Sequence, residues 1–144
     1  MAGAKEYEGK QLSVRFDARR CIHAAECVHG LPGVFDPERR PWIDPDAGDP
    51  SAIVEVVESC PSGALTYERH DGGPAEVPAS DPAVRVSANG PLYIRGAIEL
   101  VGYDGNVVAD GARAALCRCG ASKNKPFCDN SHTKIDFKPD EETT

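Results

Sequence analysis

Residues 117–132 read CRCGASKNKPFCDNSH, and these sixteen positions hold three cysteines and one histidine. Cys117 and Cys119 are two residues apart, so in an extended segment both sulfur atoms point to the same side. Cys128 and His132 are four residues apart, so one helical turn places both on one face. The spacing therefore predicts two bidentate pairs of metal-ligating side chains.

The residues between the pairs shape the loop. We expect Asp129 to be the N-cap of the turn that carries the second pair, and Gly120 and Pro126 to direct the chain between the pairs. Three thiolates and one imidazole satisfy tetrahedral Zn²⁺, and two pairs also suit the two irons of a rhombic iron–sulfur cluster. Zinc sites usually space their cysteines as C-x2–4-C, so the tight C-x-C pair favours the cluster.

A small β-rich module precedes this motif. Residues 84–86 and 92–95 alternate between apolar and polar side chains around Asn89-Gly90, which is the strongest short hairpin signal. A second hairpin is predicted around the turn sequence YDGN at 103–106. The apolar residues 114–116 then lead directly into the first cysteine pair.

The whole motif resembles the CDGSH iron–sulfur family, of which mitoNEET is the best-known member. The family pattern is C-x-C-x2-[S/T]-x3-P-x-C-D-G-[S/A/T]-H, and the chain departs from it only where Asn130 replaces glycine. Asparagine is the next-best residue for a left-handed backbone, so the departure is mild. Because NGPL at 89–92 also matches, the resemblance covers roughly residues 84–137.

This resemblance implies a [2Fe–2S] cluster. Cys117 and Cys119 would hold the inner iron, and Cys128 and His132 would hold the outer iron, which lies nearer to solvent. The resemblance also implies a homodimer formed through the C-terminal module. A module of about 60 residues builds only a thin core, which is the independent argument for a partner surface.

The other three cysteines lie in the first half of the chain and are Cys21, Cys27 and Cys60. Residues 12–17 alternate as a strand does. Asp49 is a good N-cap and Pro50 a good first residue for an amphipathic helix over 51–59. A second strand is predicted over 64–69, directly after Cys60-Pro61 and a Ser-Gly turn.

The order of strand, cysteine loop, helix, Cys-Pro and strand resembles half of a bacterial-type ferredoxin, and most closely the divergent 4Fe–4S mono-cluster family, over roughly residues 12–69. The resemblance implies that Cys21, Cys27 and Cys60 hold a second cluster. Ala24 occupies the middle ligand position, and ferredoxins without that ligand typically hold [3Fe–4S]. His23, one place earlier, either supplies a fourth ligand and gives [4Fe–4S], or is a loop residue near the cluster.

The chain of 144 residues is long enough for two small domains. Residues 70–83 are rich in glycine, proline and acidic side chains and lack periodicity, so we predict a linker at 73–83 between domains 1–72 and 84–144. The predicted fold class is α+β, with a ferredoxin-like half-module followed by the β-rich module. Residues 140–144 are expected to be disordered.

Composition and charge limit the function. The net charge of −7 argues against a nucleic-acid partner. No apolar run approaches the length of a membrane span and no leader is visible, so we expect a cytoplasmic protein without a membrane partner. No base and orienting residue accompany the cysteines, so we expect no enzyme. Two clusters in one chain indicate electron transfer; cluster storage or transfer, and redox or pH sensing, are the alternatives. The sequence does not identify the redox partners.

Overall fold

The computed structural model describes residues 4–139, so the disorder predicted for 140–144 lies outside the described residues. Within that range the chain forms mostly strands and few, short helices, in two three-stranded antiparallel sheets. This is the α+β class that the sequence predicts. The chain divides into two compact units, which are described separately below.

The first unit comprises Met1–Ala18, Ala24–Cys60 and Ala64–Glu76. Its strands are β1 (Ala4–Tyr7), β2 (Leu12–Asp17) and β3 (Leu65–Arg69), in the spatial order β1-β2-β3, and its helices are α1 (Glu26–Gly30), a 3₁₀ turn (Pro45–Ala47) and α2 (Pro50–Glu58). Strands β2 and β3 and helix α2 confirm the predicted elements.

Helix α2 forms where the local signals are strong. The Asp49 carboxylate accepts hydrogen bonds from the backbone N–H groups of Ser51 at 3.1 Å and Ala52 at 3.3 Å, as an N-cap does. Ile53 and Val57, one turn apart, are fully buried. They join an apolar core that also contains residues of β2, β3 and the loop before the 3₁₀ turn, namely Leu12, Val14, Leu65, Val34, Phe35 and Ile43.

The second unit comprises Arg19–His23, Pro61–Gly63 and Val77–Thr144. Its strands are β4 (Ala83–Val86), β5 (Leu92–Val101) and β6 (Val107–Leu116), in the order β4-β5-β6, and a short helix α3 (Ser131–Lys134) follows. Both predicted hairpins are confirmed, because β4 pairs with β5 and β5 pairs with β6. The domain boundaries predicted at 72 and 84 stay a prediction, since the second unit also includes two segments from the first half of the chain.

None of the helices within residues 4–139 combines the length and the apolar character that are needed to cross a bilayer.

Candidate metal centre

One concave site in the second unit collects all four residues of the C-terminal motif. Cys117, Cys119, Cys128 and His132 line it together, with Gly90, Pro91, Arg118, Ser122, Asp129 and Ser131 completing the wall. The Sγ atoms of Cys117 and Cys119 are 3.9 Å apart, and the Sγ atom of Cys128 lies 3.6 Å from Nδ1 of His132. The structure therefore brings the four predicted ligands together as two close pairs.

The end of β6 and the returning loop hold the two cysteine arms side by side. Cys117 N–H donates to the Pro126 carbonyl at 2.8 Å, and Cys128 N–H donates to the Ala115 carbonyl at 2.9 Å. Leu116 and Phe127 form an antiparallel bridge between these two bonds. These backbone hydrogen bonds thus hold Cys117 of the first pair beside Cys128 of the second pair.

Each of the three sulfur atoms lies near a backbone N–H group of its own loop. The donors are Gly120 to Cys117 at 3.3 Å, Ala121 to Cys119 at 3.3 Å, and Asn130 to Cys128 at 3.4 Å. Such N–H groups stabilise sulfur in its negatively charged form, which is the form that binds metal.

The surroundings of the thiols alter their acidity in opposite directions. Burial raises the pKa of Cys117, but the backbone N–H groups of Ser122 and Gly120, the hydrogen bond with Cys119 and the charge of Lys125 together outweigh it, so the pKa lies below its ordinary value. Burial raises the pKa of the Cys128 thiol, and the N–H of Asn130 offsets this only in part. Cys117 is accordingly the thiol that loses its proton more readily of these two.

The turn that carries the second pair differs from the prediction. Helix α3 begins only at Ser131, after Cys128, and its N-cap is Asn130 instead of Asp129. Asn130 has φ of 73°, the left-handed conformation expected where the family has glycine. Because Cys128 lies before this helix, Cys128 and His132 approach each other without sharing a helical face.

Asp129 has a different role from the predicted N-cap. Its carboxylate accepts hydrogen bonds from the backbone N–H groups of Ser131 at 3.0 Å and Lys123 at 2.9 Å. The Ser131 side chain and the backbone N–H groups of Lys123 and Ser131 donate to this carboxylate and lower the pKa of Asp129 to about 2. The carboxylate therefore ties the turn before His132 to the loop between the two pairs.

Two residues that shape the site are not visible in the spacing of the motif. Arg118 donates from Nε to the Gly90 carbonyl at 2.9 Å and from Nη2 to the Ser87 carbonyl at 2.8 Å. Gly90 in turn lies so close to His132 that a Cβ atom added there would be 3.0 Å from Nε2. The NGPL sequence at 89–92 could have pointed to Gly90, but it predicts no contact with Arg118 or His132.

The residues predicted for the second cluster are divided between the two units: Cys27 and Cys60 belong to the first unit, and Cys21 and His23 belong to the second. Cys27 and Cys60 are half-buried and pack against the apolar core of the first unit. Cys21 belongs to the segment of the second unit that spans 19–23. His23 is exposed, has φ of 59°, and its backbone N–H donates to Sγ of Cys21 at 3.4 Å.

Within residues 4–139, no group of three or more His, Cys, Asp or Glu side chains lies in an arrangement that could hold a single metal ion.

Comparison with known proteins gives two family matches. The family model described as a divergent 4Fe-4S mono-cluster matches residues 7–70, and the model described as an iron-binding zinc finger of CDGSH type matches residues 89–133. The uncharacterized protein YjdI of Escherichia coli K12 is 43% identical over 68 residues, which are 47% of this chain and 88% of YjdI. YjdI of Escherichia coli O157:H7 gives the same values.

Fold, site and matches together define an iron–sulfur protein. More particularly, the chain belongs to the divergent 4Fe–4S mono-cluster family and carries a CDGSH iron–sulfur domain after it. Both resemblances stated from the sequence are confirmed.

Proposed function

We propose that this chain is an electron-transfer protein with a [2Fe–2S] cluster in the CDGSH site and a [4Fe–4S] or [3Fe–4S] cluster held by Cys21, Cys27 and Cys60. The observation that carries the proposal is the arrangement of two donor pairs around one cavity. Thiolate-held clusters suit a reducing compartment such as the cytoplasm, and we infer that the chain passes electrons without transforming an organic substrate.

The donor set of the CDGSH site fits a cluster. Three sulfur atoms, each near a backbone N–H group, and one imidazole nitrogen supply four ligands in two pairs. Cys117 and Cys119 would hold one iron, and Cys128 and His132 the other. The cluster, when bound, accepts and returns one electron.

The protein groups around the site set the reduction potential of the bound cluster. A neutral imidazole in place of a fourth thiolate removes one negative charge, which raises the reduction potential above that of an all-cysteine site. The N–H groups near the sulfur atoms favour the more negative, reduced state. A histidine ligand also binds a proton, so protonation of His132 competes with metal binding.

Cluster delivery is the second candidate function. His132 is half-exposed, whereas Cys128 is only 3% exposed. The iron bound by this pair would therefore have one ligand that solvent and acid reach. Such a ligand suits transfer of the cluster to an acceptor protein, or a response to redox state or pH.

We infer that residues 12–69 form a ferredoxin-like half-module around the second cluster. With Ala24 at the middle ligand position, [3Fe–4S] is the simplest product, and His23 as fourth ligand would give [4Fe–4S]. An oxidised [3Fe–4S] cluster is paramagnetic, whereas an oxidised [4Fe–4S] cluster is silent in EPR. If the anaerobic His23→Ala variant keeps the same EPR-silent oxidised cluster as the wild type, His23 is not the ligand.

The proposal is tested on the full chain purified without oxygen. We expect a coloured protein whose clusters are reduced in stopped-flow mixing faster than they pass to an apo-ferredoxin. Transfer to the apo-ferredoxin that outpaces reduction would favour cluster delivery. A colourless preparation that contains zinc would contradict both candidate functions.

A further inference from the structure

One buried arginine of the second unit touches backbone beside several predicted ligands. Arg20 is only 5% exposed. Its Nη2 donates to the carbonyl of Ser62 at 3.1 Å and to the carbonyl of Arg113 at 3.0 Å. Its guanidinium carbon lies 4.7 Å from the centre of the Phe127 ring. These contacts hold three separate stretches of chain around one cation.

Each of these stretches leads to a cysteine predicted as a ligand. Arg20 directly precedes Cys21, and Ser62 lies two residues after Cys60. Phe127 directly precedes Cys128, and Arg113 lies on β6, four residues before Cys117. A single side chain therefore supports the chain next to ligands of both clusters.

The neighbours of Arg20 strengthen the same connection. Arg19 donates from Nη2 to Oδ1 of Asn124 at 3.1 Å, and Asn124 donates from Nδ2 to the Arg19 carbonyl at 2.8 Å. Ile22 is 7% exposed and packs in a small apolar cluster with Ala115 and Cys128. The segment that carries Cys21 is thus held by the loop of the CDGSH site on both sides of Arg20.

We propose that Arg20 is a positioning residue shared by the two cluster sites, so that the state of one site changes the retention and the spectrum of the other. This inference rests on the proposed function, because it requires that both clusters bind. Residues that orient metal ligands from behind typically change metal affinity when they are removed. Arg20 does so for two sites at once, since its buried guanidinium cannot leave one carbonyl without altering its bond to the other.

The test compares variants of the full chain loaded with both clusters. In Arg20→Met the apolar stem is kept and the donors are lost, and we expect a chelator to strip both clusters roughly ten- to hundredfold faster. The EPR line shape of the reduced [2Fe–2S] cluster should also shift. Arg20→Lys keeps a cation that donates to carbonyl oxygens, so it should restore retention at both sites in part.

Arg39→Met is the matched control. Arg39 donates to the carbonyls of Gly33 at 3.0 Å and Val34 at 2.8 Å, so it clamps a loop of the first unit alone. We expect this variant to leave the spectrum and retention of the [2Fe–2S] cluster unchanged. The proposal would be overturned if Arg20→Met lost the cluster faster at one site only. It would also be overturned if Arg39→Met lost both clusters as fast as Arg20→Met does.

A second measurement covers the case in which Arg20→Met does not fold. Cys117→Ser removes a ligand of the CDGSH site, and we expect it to change the EPR line shape of the other cluster and to speed its loss. An unchanged line shape and rate would overturn the shared role of Arg20. A wild-type chain that binds neither cluster contradicts the proposed function itself, whereas two bound but independent clusters contradict only this inference.

Discussion

The two ring nitrogens of His132 have different surroundings. Nδ1 faces Sγ of Cys128 at 3.6 Å, whereas Nε2 lies on the side of the buried Gly90. Nδ1 is therefore the nitrogen placed to share a metal with Cys128. Any change on the Nε2 side acts on the metal through the position of the ring.

Replacement of His132 by cysteine tests its role as the protonatable ligand. A fourth thiolate adds negative charge, so His132→Cys should lower the reduction potential of the CDGSH site by on the order of 100 mV. It should also slow cluster loss at mildly acidic pH, because the variant lacks the imidazole ligand for which a proton competes with the metal. Potentiometric titration measures the first effect, and the decay of visible absorbance measures the second. If the cluster were lost at the same rate at acidic pH, another ligand would be the labile one.

A methyl group at position 90 tests the contact behind the ring. In Gly90→Ala the new Cβ would lie 3.0 Å from Nε2 of His132 and 3.1 Å from Oγ of Ser87, so the ring must move. Crowding of this kind costs about 1 kcal/mol, or roughly a fivefold loss of cluster retention. Gly33→Ala is the control, since an added Cβ there meets nothing within 4 Å. Equal retention in the two variants would contradict the contact.

Sequence spacing predicted which cysteine and histidine side chains lie close together, but not which residues support them. The pairs at 117 and 119 and at 128 and 132 are close in the sequence, so local geometry brings them together. Arg118 donates a hydrogen bond to Gly90, which is 28 positions away, and Arg20 donates one to Arg113, which is 93 positions away. No local pattern encodes such contacts, because they depend on how strands and loops pack in the finished fold.

At the level of elements, the N-terminus of α2 offers a measurable test. Asp49→Ala removes the acceptor of the Ser51 and Ala52 N–H groups, and we expect the free energy of unfolding to fall by about 1 kcal/mol. Asp49→Asn keeps a side-chain oxygen that accepts these bonds and should stay near the wild type. Urea unfolding of the three proteins measures the difference, and equal loss in both variants would show that charge, not capping, matters.

Elements with a periodic or capping signal were predictable, and those without one were not. Helix α2 and the two hairpins had such signals. Strand β1 did not, because its sequence AKEY is polar and only Tyr7 is buried. Helix α1 starts after Ala25, whose backbone is left-handed with φ of 64° and whose side chain cannot cap. These elements owe their existence to pairing and packing partners, not to local preference.

At the level of the whole molecule, β4 offers a surface for a second copy. Val84 and Val86 are each 60% exposed on this edge strand. We predict that the chain is a homodimer through its C-terminal hairpins and that Val84→Lys weakens it, because a charge on an edge strand disfavours pairing. Val77→Lys, at a residue that is 80% exposed outside the strands, is the control. Sedimentation of the wild type as a strict monomer near 15.4 kDa would contradict the dimer.

The bonds between Arg19 and Asn124 also set an order in time. The two residues are 105 positions apart, so at the usual pace of translation Asn124 is made roughly 5 to 20 s after Arg19. Bringing ends that far apart together costs roughly 4 kcal/mol of chain entropy, which only the completed loop can offset. The segment that carries Cys21 therefore cannot form these bonds until the last third of the chain has been synthesised. During translation it is among the last parts of the molecule to reach its final position.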